Sequence, residues 1–385
     1  MIQGRVKMGM VGGGRGAFIG NVHRMAASLD GQIELVCGAF SAEPQKSRDS
    51  GKDLMLPQER VYDNFREMME KESALPPEIR MDFVSIVTPN HMHFEPARLA
   101  LEHGFHVVVD KPMTYNLAQA LELKKIVNRT GLFFCLTHTY TGYPMVKQAR
   151  QTVAEGKLGK IRKVYVEYPQ GWLSTFLEGS GQKQADWRTD PGRSGVAGCM
   201  GDIGTHGANL AEYVSGLEIT ALCADINIVV PGRKLDDDGA VLLKFTGEAS
   251  GMLMATQVAA GEENNIRIRV YGEKGGLDWQ QENANSLFLK WPDRPMEELR
   301  TGGPGLDIQA NQNTRIPAGH PEGYLEAFAN LYRNFALCLK ARAAGEPVRK
   351  EWLDFPGVEE GIRGMSFIEK VIESGKSRKK WIKMG

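Results

Sequence analysis

Three groups of residues in this 385-residue chain have the types and spacing that chemistry requires. The first is Lys111, in Asp110-Lys111-Pro112, directly after the apolar run His106–Asp110 (HVVVD). A lysine just past a buried strand is poised over the crevice where an open parallel sheet binds its ligand, rather than floating on a helix face. A surface lysine before a turn proline is the plain alternative, and the strand placement favours the chemical reading. The second group is Gly201-Asp202-Ile203-Gly204-Thr205-His206, opening a helix that runs to Gly216. Asp202 and His206, four residues apart, share one helix face, where a carboxylate orients an imidazole and raises its basicity for general-base work. Gly201 and Gly204 would thin the helix start for a ligand. For Asp202 an ordinary N-cap role stays open; His206 reads as functional. The third group is Gly12-Gly13-Gly14-Arg15-Gly16-Ala17, entered from an apolar run ending in Val11. G-x-G-x-x-G/A between a strand and a helix cradles a dinucleotide pyrophosphate. Gly12 permits the turn, Gly14 the phosphate approach and Ala17 close helix–strand packing, and the helix N-terminus faces the anion.

Around these lie weaker candidates. Thr88-Pro89-Asn90, with His91 and His93, follows another strand. No Cys or carboxylate cluster of ligand spacing accompanies the histidines, so no metal site is expected; a helix-start or cofactor-edge role suits Asn90 and His93. Tyr140, Tyr143, Trp172, Trp187-Arg188 and Arg193-Ser194-Gly195 offer aromatic faces and polar donors, which suit a sugar ring. For Trp172, core packing and ring contact are both open. His320, in Gly319-His320-Pro321-Glu322, is either a pocket residue or a helix cap.

The elements that must position these residues alternate at first. Ile19, Val22, Ala26 and Leu29 trace one helix face; Ile33–Phe40, Phe83–Val87, His106–Asp110 and Leu132–Leu136 read as strands. A helix through Ala97, Ala100 and Leu101 stops at Gly104, and Asn116 with Gln119 caps another. This predicts a doubly wound parallel sheet, with ligands outside the carboxyl ends of its strands. After about Tyr140 the pattern changes. A helix at Met145–Glu155 precedes strands at Lys163–Tyr168, Ala221–Val229, Ala240–Thr246, Gly251–Val258 and Asn265–Tyr271, joined by short turns that favour antiparallel pairing. Pro292–Arg315 reads as a long loop. A helix with Tyr324, Phe328, Leu331, Tyr332, Phe335 and Leu339 on one stripe closes the second domain, with Pro321 in its first turn.

Composition bounds the partners. Lys+Arg and Asp+Glu both number 47, so no basic footprint for nucleic acid is expected. No segment has the apolar length of a membrane span, and a first strand by about Val6 leaves no room for a signal peptide. Five scattered cysteines without C-x-x-C suit a reducing compartment, so a cytoplasmic protein is expected.

Together, VGGGRGA, Thr88-Pro89-Asn90-x-x-His93, Asp110-Lys111-Pro112 (where the family usually has Glu-Lys-Pro) and Asp202-x-Gly-x-His206 resemble the Gfo/Idh/MocA family of oxidoreductases over essentially the whole chain. The stretch from Gly201 through GHPEGY at 319–324 looks most like its levoglucosan or glycoside dehydrogenase branch. The resemblance implies an α/β fold: a Rossmann domain over residues 1–140, then a substrate-binding and oligomerising α/β domain over 141–385 with an open, mainly antiparallel sheet. It implies catalysis by Lys111, Asp202 and His206, and a homodimer or homotetramer through that sheet. The expected cofactor set is Gly12, Gly14, Arg15, Ala17, Phe40, Ser41, Arg48, Thr88, Pro89, Asn90, His93, Asp110 and Lys111. The expected substrate set is Lys111, Tyr140, Trp172, Trp187, Arg188, Asp202, His206 and His320. Phe40-Ser41 stands where an acid usually holds the ribose, so NAD and NADP both stay open; NAD is favoured because no basic cluster directly follows Ser41. The expected reaction is hydride transfer between the nicotinamide and a ring or carbinol carbon of a sugar, glycoside, anhydrosugar or cyclic polyol. The alternatives are a glycosidase or lyase that retains its cofactor through transient ring oxidation, and a non-catalytic cofactor-binding regulator.

Overall fold

The computed structural model describes residue 2 and residues 4–384. Two compact units emerge: residues up to Thr139 with Leu325–Ile362, and Tyr140–Tyr324 with the segment from Arg363 on.

The first unit is a parallel sheet. Its chain order runs β1 (Val6–Gly12), α1 (Phe18–Ser28), β2 (Ile33–Ala39), α2 (Pro44–Asp53), α3 (Phe65–Ser73), β3 (Phe83–Val87), α4 (Phe94–Glu102), β4 (His106–Val109), α5 (Leu117–Thr130) and β5 (Phe134–Leu136). The strands lie in the order β2-β1-β3-β4-β5, all parallel. The order reverses beside β1, which pairs with both β2 and β3, and a doubly wound sheet binds its ligand at such a switch point. Strands buried on both faces read as unbroken apolar runs, which is why β3 and β4 stood out in the sequence. The Asn116 cap forms as expected, its side chain accepting the Gln119 N–H at 3.0 Å.

The second unit holds α6 (Pro144–Ala154), β6 (Ile161–Pro169), α7 (Lys183–Arg188), α8 (Pro191–Ser194), a π turn at Met200–Gly204 leading into α9 (Thr205–Ser215), then β7 (Ile219–Asn227), β8 (Asp238–Phe245) and β9 (Ser250–Thr256). β10 (Arg267–Gly272), β11 (Gly276–Gln280), β12 (Ser286–Lys290), β13 (Glu297–Arg300) and α10 (Ile308–Gln312) follow. These strands and a last one near the C-terminus form a nine-stranded sheet, antiparallel except where β6 pairs with β9. The segment Pro292–Arg315, expected as one loop, therefore contains β13 and α10. β13 is a wet edge strand with no apolar alternation to betray it. One sheet face packs on α6 and α9. The other stays wet: along β8, Val241 and Leu243 are buried while Ala240, Leu242 and Lys244 are exposed.

The chain ends with α11 (Tyr324–Ala344), α12 (Val358–Lys376) and β14 (Trp381–Lys383), which pairs with β7. The expected apolar stripe of α11 exists, but it completes the first unit rather than the second. Phe335 and Tyr332 pack on Phe83 of β3, with ring centroids 5.3 and 6.3 Å away, and Phe328 packs on His23 of α1 at 4.6 Å. A stripe fixes which face is buried and not what buries it. Pro321 precedes the helix by three residues instead of standing in its first turn. Among the described residues no helix is long and apolar enough to cross a membrane.

Candidate active site

In the first unit, the turn after β1 needs its glycines for several distinct reasons. Gly12, Gly13 and Gly16 have φ of +83°, +73° and +74°, a region that side chains with a Cβ rarely adopt. A Cβ on Gly14 would lie 2.6 Å from Ser50 Oγ and 2.8 Å from the Phe40 carbonyl, so this glycine lets the end of β2 and α2 close on the turn. A Cβ on Gly16 would meet nothing within 4 Å, so space opens there. The close helix–strand contact expected at Ala17 is made instead by Gly20, whose Cβ would overlap Gly13. Ala17 is the N-cap of α1 and gives no side-chain cap, and the first turn carries no acidic residue. A positive helix end without a carboxylate of its own, behind a glycine turn with room on one side, fits a pyrophosphate.

Ion pairs tie down the two arginines expected near the cofactor. Arg15 pairs with Asp53 at 2.6 Å and Asp49 at 3.2 Å, and Arg48 grips Asp63 at 2.7 and 2.8 Å. Phe40 is buried, its N–H donated to Ser47 at 2.9 Å, while the Ser41 hydroxyl accepts the Glu43 N–H. Thr88 donates to the Met92 carbonyl at 3.1 Å.

His93 stands at the N-cap position of α4, the helix-start role expected for it. Its side chain is fully buried, with Nδ1 2.8 Å from the Pro112 carbonyl and Nε2 2.8 Å from that of Thr88. It ties two strand-end loops together. Asp110 accepts the Lys111 N–H and the Thr137 hydroxyl, each at 2.9 Å, and so fixes the backbone that carries Lys111. Behind it lies buried His23, whose Nδ1 is 2.6 Å from the Tyr332 hydroxyl. Burial lowers the His23 pKa to about 4 and that of His138 to about 3.

In the second unit, Asp202 sits in the π turn and His206 in the first turn of α9. Single π turns recur at functional sites because they re-aim side chains. Gly204 makes room for Met200 Sδ, 2.8 Å from where its Cβ would be, so its thinness serves the chain rather than a ligand. Asp202 Oδ2 accepts the Gln257 amide at 2.9 Å and lies 3.3 Å from Arg188 Nε. Arg188 in turn stacks on Trp187, 4.3 Å from the ring centroid. His206 is 8% exposed and meets the Tyr140 ring edge-on at 4.9 Å, with Tyr168 at 6.5 Å. The two phenols hydrogen-bond each other; Tyr168 donates to Asn264 at 2.8 Å, and Asn264 donates to Tyr140 at 3.2 Å. Gln170 links Asn264, Trp172 and Gln257. Burial raises the Tyr140 and Tyr168 pKa values, so both phenols keep their protons at neutral pH.

Of the sequence candidates, Tyr140, Trp172, Trp187, Arg188, Asp202 and His206 thus share one network. Among the described residues His320 does not join it: it is exposed, with Nδ1 3.2 Å from the Pro317 carbonyl. Tyr143 packs on Trp279 as core. Tyr168, Gln170, Gln257 and Asn264 were missed. Their common signal is an amide or phenol at or just beyond a strand end, where an apolar alternation stops.

Comparison with known proteins agrees with this layout. The profile of the oxidoreductase family with an NAD-binding Rossmann fold matches residues 6–151, and that of the GFO/IDH/MocA C-terminal domain matches residues 146–278. The chain belongs to the Gfo/Idh/MocA family. Within it, an oxidoreductase from Sinorhizobium meliloti is 43% identical, superposing with a TM-score of 0.89 over 99% of this chain and 100% of the other. An inositol dehydrogenase homolog from Azotobacter vinelandii, complexed with NAD+, is 33% identical with a TM-score of 0.93 over 99% and 98% of the two chains. Levoglucosan dehydrogenase from Pseudarthrobacter phenanthrenivorans is 24% identical over 73% of this chain and 75% of its own. As a Gfo/Idh/MocA member the protein is an oxidoreductase whose first unit is an NAD-binding Rossmann fold.

Proposed function

We propose that this oxidoreductase dehydrogenates a ring carbinol of a cyclic polyol, sugar or anhydrosugar, with Lys111, Asp202 and His206 as its catalytic residues. The observation that carries this reading is the setting of His206, an almost buried imidazole walled by two phenols, one turn from a carboxylate held by Gln257 and Arg188. Phenols and amides match the hydroxyl rim of such a ring, and the aromatic faces match its apolar sides. The names of the inositol- and levoglucosan-related relatives support the substrate class. His206 takes the hydroxyl proton, Asp202 orients the imidazole, and Lys111 stabilises the alkoxide. The nicotinamide, when bound, supplies the hydride acceptor. NAD is the proposed cofactor, since Arg15 and Arg48 are already paired with carboxylates.

The wet face of the nine-stranded sheet is the proposed contact of a homodimer or homotetramer, to be tested by light scattering. The unpaired cysteines support a cytoplasmic compartment. For the activity itself, cyclic polyols, sugars and anhydrosugars should be screened with NAD and NADP at the nicotinamide absorbance. Stoichiometric release of reduced cofactor with a ring polyol or sugar is expected. Substrate consumed without reduced cofactor would replace this reading with the cofactor-retaining glycosidase or lyase.

A further inference from the structure

Asp236 lies just before β8 with its side chain buried. Oδ1 accepts the Gly198 N–H and Oδ2 the Met200 N–H, both at 2.7 Å, while its own carbonyl accepts the Cys199 N–H at 2.8 Å. One residue thus binds three consecutive N–H groups where the chain enters the π turn. The Asp202 N–H then goes to the Gly198 carbonyl at 2.8 Å, so the winding that carries Asp202 and His206 starts from the segment Asp236 holds. The approach is tight: a Cβ on Gly198 would overlap the Asp236 carbonyl, and one on Gly239 would lie 2.5 Å from Met200 Cε. Hydrogen bonds to an ionised acceptor are roughly twice as strong as neutral ones, and buried they hold direction as well as distance.

We propose that Asp236 is a positioning residue: by fixing the backbone at 198–200 it sets the phase of the π turn and so the placement of Asp202 and His206. This rests on those two residues being catalytic, as proposed above. Adjacent Asp237 provides a matched contrast. It is as deeply buried, and its side chain accepts the Val229 and Val230 N–H groups at 2.7 and 2.9 Å and Arg233 at 3.0 Å, so the carboxylate organises a different loop, while its carbonyl, which the Asn variant keeps, accepts the Gln257 N–H at 2.8 Å.

The test compares Asp236→Asn with Asp237→Asn in the full-length protein, using myo-inositol first and otherwise the best substrate of the screen. Asp236→Asn should speed amide exchange at 198–200 and lower kcat at least about tenfold, with the NAD dissociation constant within about twofold of wild type. Most of that loss should vanish in an Asp202→Asn background, because the two act as one unit. Asp237→Asn should cost stability while leaving kcat of the folded protein within about twofold. Opened amides at 198–200 with kcat no lower than in Asp237→Asn would overturn the inference. Should Asp236→Asn fail to fold, Gly198→Ala displaces the same turn from the other side, and undiminished kcat in it is equally fatal. Near-normal turnover in His206→Ala would instead sink the catalytic reading, and the exchange result would stand apart from it.

Discussion

Two helix starts in this molecule face the same electrostatic problem and resolve it oppositely. Every helix begins with N–H groups that lack partners within the helix and with a partial positive charge. At α1 the chain brings glycines, no side-chain cap from Ala17 and no acid in the first turn, as suits an anion brought by a ligand. At the π turn leading to α9, the chain's own Asp236 takes the N–H groups of residues 198 and 200. The first start is shaped to receive a negative charge; the second already contains one and directs side chains instead. A glycine-rich helix start is thus no signature of ligand binding by itself: Gly16 leaves open space at the cradle, whereas Gly14, Gly198 and Gly204 accommodate the protein.

The comparison is broken most directly at the side chains of the second start. His206→Ala should lower turnover roughly a hundredfold or more while sparing NAD affinity, and Lys111→Ala should do the same from the first unit. An alanine variant that mainly weakens NAD binding would mean that the two starts share one task. Next, Gly14→Val should weaken NAD at least about tenfold in a fluorescence titration and also lower the melting temperature, because the new side chain strikes Ser50 and Phe40 before any ligand. A third contrast is acid sensitivity. In the folded first unit burial holds His23 and His138 neutral, at about 4 and about 3, whereas an unfolded histidine titrates at about 6.5. Below that value the unfolded chain binds more protons, so stability is full above pH 6.5 and falls as pH drops toward 4, by on the order of a few kcal/mol. Melting curves at pH 7.5, 6 and 5 should show the decline, and His23→Gln should make it shallower while leaving the part due to His138. The smallest effect concerns Arg48. Since Asp63 holds it in an exposed pair, Arg48→Ala should change the ratio of NADP to NAD efficiency by less than about threefold. A larger selective loss with NADP would show that the pair opens for a 2′-phosphate.

The first unit was largely legible because its signals are local: a glycine turn, unbroken apolar strands, and the Asn116 cap. What stayed hidden depended on partners distant in sequence. The stripe of α11 was visible, but that it packs on Phe83 and His23 was not. Likewise Asp202 and His206 carried a readable spacing, whereas Gln257 and Asn264, which complete their surroundings, arrive from the connection between β9 and β10 some fifty residues later. The helix-start position of His93 was legible; only the fold shows both ring nitrogens spanning to carbonyls.

The return of α11 to the first unit also bears on how the chain is made. The strands of the nucleotide-binding sheet leave the ribosome first, yet Phe328, Tyr332 and Phe335, which cover His23 and Phe83, are synthesised roughly two hundred residues after β5. At about 5–20 residues per second, that sheet waits on the order of ten to forty seconds with an apolar flank open to whatever else is nascent or nearby. A fragment ending near Tyr140 should therefore expose that flank permanently and aggregate, and adding Leu325–Ile362 as a separate peptide should rescue it. The domain that comes first in sequence is among the last to be finished.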